Sequence, residues 1–214
     1  MRIRRIVLIA TCLLCLRAGP LFAAAPSNSD RPILICYGDS ITAGLGLRDG
    51  EAYPADLQKL LDARGYAYKV LNQGTSGATT KDALAGLPYV LRLHPAIVIV
   101  EFGGNDGLRG LPVDQTRANL DQVLTALEKA QVKILLAGIT LPPDYGSDYI
   151  RSFDEIFRSL AARHHIAVVP MLYKDLVNVP GTIQGDGIHP TAKGAAIIAG
   201  TVYSALQPLL RKGQ

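Results

Sequence analysis

Ile33-Leu34-Ile35-Cys36-Tyr37-Gly38-Asp39-Ser40 is the stretch whose reading decides the fold. A short run of apolar, β-forming residues stops at a glycine and delivers a serine. A run of this length, bounded by turn signals, reads as a strand buried on both faces. Ser40 then sits just past the carboxyl end of that strand. In open α/β sheets this is the edge where ligands bind.

Downstream, strands and helices alternate. A helix starts near Tyr53, with Tyr53, Leu57, Leu60 and Leu61 on one face and Gly65 as its stop. Tyr68 to Leu71 reads as a second strand, and Asn72-Gln73-Gly74-Thr75-Ser76-Gly77 as the turn that ends it. Thr79 or Thr80 can cap a helix that Pro88 is expected to break or restart. Ala96 to Phe102 is a third buried strand, closed by Gly103-Gly104-Asn105-Asp106. Leu120, Val123, Leu124 and Leu127 mark the next helix, and Val132 to Ala137 a fourth strand. Tyr149, Phe153, Ile156, Phe157 and Leu160 recur at helical spacing before a fifth strand, Ile166 to Val169. A last helix runs from about Thr191, with Ala195, Ile198, Val202, Leu206 and Leu209 inward. This alternation predicts an α/β fold: a three-layer α/β/α sandwich around a five-stranded parallel sheet in the flavodoxin-like order 2-1-3-4-5.

The 214 residues suffice for one domain. Residues 1–25 read as a secretory signal peptide and 26–214 as the single domain. Met1-Arg2-Ile3-Arg4-Arg5 is a basic start, Ile6 to Leu16 an apolar run, and Ala23-Ala24-Ala25 a small-residue cleavage region. The apolar run is too short to span a bilayer, and Arg17 interrupts it. A periplasmic or secreted location follows, with no stable membrane span. The net charge of +4 lies in this leader. Arg2, Arg4, Arg5 and Arg17 are four of the 22 basic residues, which leaves 18 basic against 18 acidic. That balance excludes the basic footprint of a nucleic-acid partner. Cys12 and Cys15 leave with the leader, and Cys36 remains as a small core hydrophobe with no disulfide partner.

The polar residues that break the pattern fall at the ends of strands. Ser40 follows the first, Gly77 the second, Asn105 the third, and Asp186 and His189 come after the fifth. In a parallel sheet these loops share one edge. A hydroxyl, a backbone N–H, a carboxamide and an Asp/His pair brought together there can make a nucleophile, an oxyanion hole and an oriented base. Each signal has a plainer reading alone. Asp39 and Ser40 are common helix caps, Gly103-Gly104-Asn105-Asp106 is a plausible tight turn, and Asp186 beside His189 could be a surface turn. His189 precedes Pro190, which holds it extended ahead of the last helix. His164 and His165 suit a helix C-terminus, and His94 closes a helix before Pro95. No His/Cys/Asp spacing suggests zinc. Gly44-Leu45-Gly46 lacks the third glycine of a dinucleotide site, and there is no P-loop. Gly74-Thr75-Ser76-Gly77-Ala78 is one residue away from a Gly-x-Ser-x-Gly elbow, so spacing alone leaves Ser76 open as the nucleophile.

Four blocks, in this order and spacing, carry a resemblance. They are Gly38-Asp39-Ser40-Ile41-Thr42-Ala43-Gly44, Asn72-Gln73-Gly74-Thr75-Ser76-Gly77, Gly103-Gly104-Asn105-Asp106 and Asp186-Gly187-Ile188-His189-Pro190. From about Pro32 to Leu210 the chain resembles the SGNH (GDSL-type) hydrolases, and within them the exported thioesterase, lysophospholipase and arylesterase branch. Leu108-Arg109-Gly110 and Pro142-Pro143-Asp144-Tyr145-Gly146 also resemble that branch. The resemblance implies Ser40 as nucleophile, His189 as base and Asp186 as its orienter. It implies an oxyanion hole from the Ser40 and Gly77 N–H groups and the Asn105 side chain, which favours Ser40 over Ser76. Ala78 departs from the aspartate that related sequences often carry there.

The expected activity is hydrolysis of small-molecule carboxylic esters and thioesters through an acyl-enzyme on Ser40, by a monomer needing no metal or organic cofactor. The loops Leu45 to Tyr53, Leu141 to Tyr149 and Leu172 to Ile183 are candidates for an acyl groove. A carbohydrate O-acetylesterase on the same framework, and a catalytically silent binding protein, are the rival expectations.

Overall fold

A computed structural model describes residues 31–176 and 178–212. The proposed leader lies outside the described residues. The elements are β1 (Ile33–Gly38), α1 (Ser40–Ala43), α2 (Tyr53–Ala63), β2 (Lys69–Gly74), α3 (Thr80–Arg92), β3 (Ile97–Glu101), α4 (Gly104–Leu108), α5 (Val113–Lys129), β4 (Lys133–Ala137), α6 (Ser147–His164), β5 (Ala167–Val169) and α7 (Ala192–Leu206). All strand pairs are parallel, in the order β2-β1-β3-β4-β5, as the alternation predicts. Helices α2 and α7 pack together on one face, and α3, α5 and α6 lie side by side on the other.

The central strands explain the stability of this frame. Leu34, Ile35 and Cys36 of β1 and Ile97 to Val100 of β3 are fully buried. Each large aliphatic side chain among them contributes roughly 1.5–3 kcal/mol on burial. Cys36 sits among them as a free thiol, and burial pushes its pKa up to about 12, so it is inert at neutral pH.

Two local readings are corrected. Strand β2 extends through Asn72, Gln73 and Gly74, which the sequence suggested as turn. These residues keep register with β1 as far as Gly74 opposite Gly38. Asn72 supports the extension by accepting from its own Gly74 N–H (2.9 Å) and donating to the Thr42 carbonyl (2.8 Å). Pro88 neither breaks nor restarts a helix: α3 runs through it. Pro88 is exposed, while Leu87 and Val90 beside it keep the buried face continuous. A reciprocal capping box between Thr79 and Asp82 sets the start of that helix.

Candidate active site

Ser40 is the first residue of the one-turn helix α1 and is 8% exposed. As such its N–H has no intrahelical partner. Asp39 caps that helix, its Oδ1 accepting from the Ile41 N–H at 3.0 Å. Gly38 is required by crowding: a Cβ there would overlap Thr42 Oγ1 and stand 2.5 Å from Glu101 Oε2. The glycine before the Asp-Ser pair therefore lets β1 and β3 deliver their polar ends into one small space.

The Asp186–His189 loop is fastened at several points. Asp186 Oδ1 accepts from the Ile188 N–H (2.9 Å) and the His189 N–H (3.0 Å), and its Oδ2 lies 2.7 Å from His189 Nδ1. The Ile188 N–H, His189 Nδ1–H and His189 N–H together hold the Asp186 carboxyl down to about 2. An ionised carboxylate only accepts, so Nδ1 carries the proton and Nε2 presents a lone pair. That nitrogen lies 2.8 Å from Ser40 Oγ, whose hydroxyl donates to it. Ser40, His189 and Asp186 thus form a continuous hydrogen-bonded line that can pass a proton off the hydroxyl. Ser76 lies exposed on its loop, and no hydrogen bond joins it to a histidine among the described residues.

Gly77 and Asn105 border the same space as Ser40 and His189. Gly77 has φ +80°, a left-handed conformation that strains any side chain, and Arg109 Nη2 donates to its carbonyl at 2.8 Å. Asn105 starts no tight turn; it lies in the short helix α4. Its Nδ2 donates to the Ala78 carbonyl at 3.0 Å and to Asp39 Oδ2 at 3.2 Å. Both amide hydrogens of the expected oxyanion donor are therefore engaged at rest. The adjacent Asp106 is buried for a different purpose. It accepts from the Thr80 N–H (2.9 Å) and Thr80 Oγ1 (2.5 Å), tying α4 to α3.

Above Ser40 opens a pocket of about 460 Å³. Its apolar wall comes from Leu45, Leu108, Ile139, Leu141, Pro142 and Ile188. Only part of the expected groove is present. Leu45, the Leu141–Pro143 segment and Tyr173 line it, whereas residues 178–183 border a separate cavity. Sequence reasoning missed Ile139, just past the end of β4, and Ile188, inside the Asp186–Pro190 block, because an apolar residue there breaks no pattern.

Three further residues support the site without a motif. Tyr173 donates to the Ile188 carbonyl at 3.0 Å, next to His189. Gln184 Nε2 donates to the Leu45 and Pro190 carbonyls, both at 2.8 Å, tying the histidine loop to the loop after α1. Glu101 is 1% exposed at the end of β3 and accepts from Thr42 Oγ1 at 2.8 Å. A carboxyl closing the otherwise apolar run Ile97-Val98-Ile99-Val100 was a visible signal. Among the described residues no His/Cys/Asp/Glu cluster suits a metal ion.

The profile of the GDSL-like lipase/acylhydrolase family matches residues 36–197, from within β1 into α7. The chain belongs to this family. This GDSL-like hydrolase is 41% identical over 178 residues to Esterase TesA of Pseudomonas aeruginosa, spanning 83% of this chain and 89% of that one. It is 36% identical over 190 residues to the Thioesterase 1/protease 1/lysophospholipase L1 of Escherichia coli, spanning 88% of each. A crystal structure of TesA superposes with a TM-score of 0.80 at 41% identity, covering 83% of this GDSL-like hydrolase and 99% of that chain.

Proposed function

We propose that the protein is a serine esterase and thioesterase acting through an acyl-enzyme on Ser40, exported by its leader and working as a monomer. The observation that carries this reading is the line Ser40 Oγ–His189 Nε2 (2.8 Å) and His189 Nδ1–Asp186 Oδ2 (2.7 Å) at the floor of an apolar pocket. Ser40 Oγ attacks the acyl carbonyl carbon while its proton passes to Nε2. The oxyanion takes hydrogen bonds from the Ser40 and Gly77 N–H groups and the Asn105 amide. As the C–O or C–S bond breaks, Nε2 returns the proton to the leaving alcohol or thiol. Water then attacks the acyl-serine, giving its proton to Nε2, and the carboxylic acid leaves as the proton returns to Oγ. Asp186 keeps the imidazole in the required tautomer and stabilises its protonated form. These side chains, the two backbone N–H groups and water carry every step. The largely apolar wall favours an acyl chain over a sugar ring, which sets this reading above the O-acetylesterase.

The test is a series of p-nitrophenyl esters and matched thioesters from acetyl to palmitoyl. Rates should rise beyond acetyl on both leaving-group types. A flat series confined to acetyl would instead support the O-acetylesterase, and an inactive protein the silent binder. Ser40→Ala should abolish both hydrolysis and labelling by a fluorophosphonate, while Ser76→Ala keeps both. The reverse pattern in two folded variants would move the nucleophile to Ser76.

A further inference from the structure

Behind the nucleophile lie two acidic side chains that the proposed chemistry does not use. Asp39 is 2% exposed and Glu101 1% exposed. The Asp39 N–H donates to Glu101 Oε2 at 3.3 Å, and Thr42 Oγ1 donates to the same oxygen at 2.8 Å. The Asp39 N–H contact brings the two carboxyls together in a space closed to solvent, where both cannot be ionised at once, so one of them keeps its proton. Asp39 Oδ1 is occupied by the Ile41 N–H, and Oδ2 accepts from Asn105 Nδ2 at 3.2 Å.

We propose that Asp39 and Glu101 are a positioning pair for the oxyanion donor: two buried carboxyls sharing one proton, which fix one N–H of Asn105 and leave the other free to be delivered to substrate. The inference rests on the esterase reading above.

The argument is one of counting donors. Asn105 Nδ2 carries two hydrogens, one on Asp39 and one on the Ala78 carbonyl. The Asp39 bond has an ionised acceptor and is the stronger of the two in kind. The Ala78 bond is neutral, so it is the one that yields when a developing oxyanion offers a charged acceptor. Asp39 can hold Asn105 only while it remains a carboxylate, and that is what Glu101 secures. Two ionised carboxyls cannot coexist in a space this dry without a cation. Among the described residues no lysine or arginine reaches either group. The groups facing Asp39 are Glu101 from β3 and His189 from the loop before α7; those facing Glu101 are Asp39 itself, Cys36 of β1 and Tyr53 of α2. Tyr173 lies near both carboxyls. Burial and the neighbouring Asp39 charge push Glu101 far up, so Glu101 keeps the shared proton and donates it to Asp39. Burial raises Asp39 itself to about 6, even though the Ile41, Glu101 and Asn105 hydrogen bonds pull it down. Below that value Asp39 takes a second proton, and the hold on Asn105 weakens.

Steady-state hydrolysis of a p-nitrophenyl ester across pH tests this on the intact protein, with fluorophosphonate labelling of Ser40 measured first. In Asp39→Asn the amide oxygen can still cap Ile41, but its NH₂ faces the Asn105 NH₂. Expected is a kcat lower by about 10–100-fold, less than the 10²–10³ that loss of an oxyanion donor itself costs, with KM nearly unchanged. The acid limb of the wild-type profile should be steeper than a single ionisation allows, because the pair adds its own, and Asp39→Asn should lose that extra step. Glu101→Ala should lose kcat similarly, and Glu101→Gln, which still donates to Asp39, should recover most of it. A folded Asp39→Asn with kcat within about twofold of wild type overturns the proposal. So does a Glu101→Gln no better than Glu101→Ala. Should Asp39→Asn fail to fold, a wild-type acid limb with a single ionisation has the same effect. An active, Ser40-labelled wild type with any of these results sinks the pair alone. A wild type that neither hydrolyses nor labels sinks the esterase reading with it.

Discussion

Replacing Asn105 by alanine separates its stability role from its role in the reaction. The carboxamide makes two hydrogen bonds, to the Ala78 carbonyl at 3.0 Å and to Asp39 Oδ2 at 3.2 Å. Its loss leaves two acceptors short of a donor, one of them on a carboxyl that burial has already raised to about 6. A buried acceptor stripped of its partner costs about 1–3 kcal/mol. The side chain borders the open pocket, so water can enter and repair part of the loss, and the net destabilisation should sit near the lower end, about 1–2 kcal/mol. The kinetic effect should be larger. If Asn105 donates to the oxyanion only as charge develops, kcat should fall by about 10²–10³, or roughly 3–4 kcal/mol, with KM little changed. Asn105→Asp should be no better, because it sets a further carboxylate against Asp39. Urea melts give the first quantity, and initial rates on a p-nitrophenyl ester near neutral pH give the second. A cooperatively unfolding Asn105→Ala whose kcat stays within about threefold of wild type would refute the reasoning and reduce the amide to a brace between Asp39 and Ala78.

Tyr173→Phe removes the hydroxyl that donates to the Ile188 carbonyl at 3.0 Å while keeping the ring that lines the pocket. It should cost about 1 kcal/mol of stability and slow both turnover and fluorophosphonate labelling of Ser40, because the histidine loop loses a fastening; unchanged labelling kinetics would make the hydroxyl incidental. Away from the site, the half-hidden His164 imidazole joins α6 to α5, its Nε2 2.8 Å from Asp121 Oδ1 and its Nδ1 3.0 Å from Glu128 Oε2. Burial alone would lower its pKa, but the hydrogen bonds to Glu128 and Asp121 outweigh it and the value is raised. A raised folded-state value gives stability that is present below the unfolded value of about 6.5 and is lost as pH rises through the folded one. His164→Gln should therefore lower the melting temperature more in mild acid than in mild alkali, and an equal loss at both would exclude a charged imidazole as the tie.

The chain's local patterns were enough for the frame. Runs such as Ile97 to Val100 are buried on both faces only in a covered parallel sheet, and the helical spacing of Phe153, Ile156, Phe157 and Leu160 fixes which face of α6 turns inward. Because parallel strands point the same way, residues following different strands must meet at one edge, so Ser40, Gly77, Asn105, Asp186 and His189 could be grouped before any distance was known. What periodicity cannot carry is a contact between groups far apart in the chain. Ser40 and His189 are separated by 149 positions, and spacing alone leaves Ser76 open as the nucleophile; packing puts His189 Nε2 against Ser40 and leaves Ser76 exposed. The same holds for Glu101. A carboxyl at a strand end signals an anomaly, but its partner Asp39 lies on another strand's loop, and the missing Cβ of Gly38 is what lets the two approach. Propensity and hydrophobic pattern act over a few residues and so are written locally. Hydrogen-bond partners and shared protons depend on ångström separations, and only the folded sheet sets those.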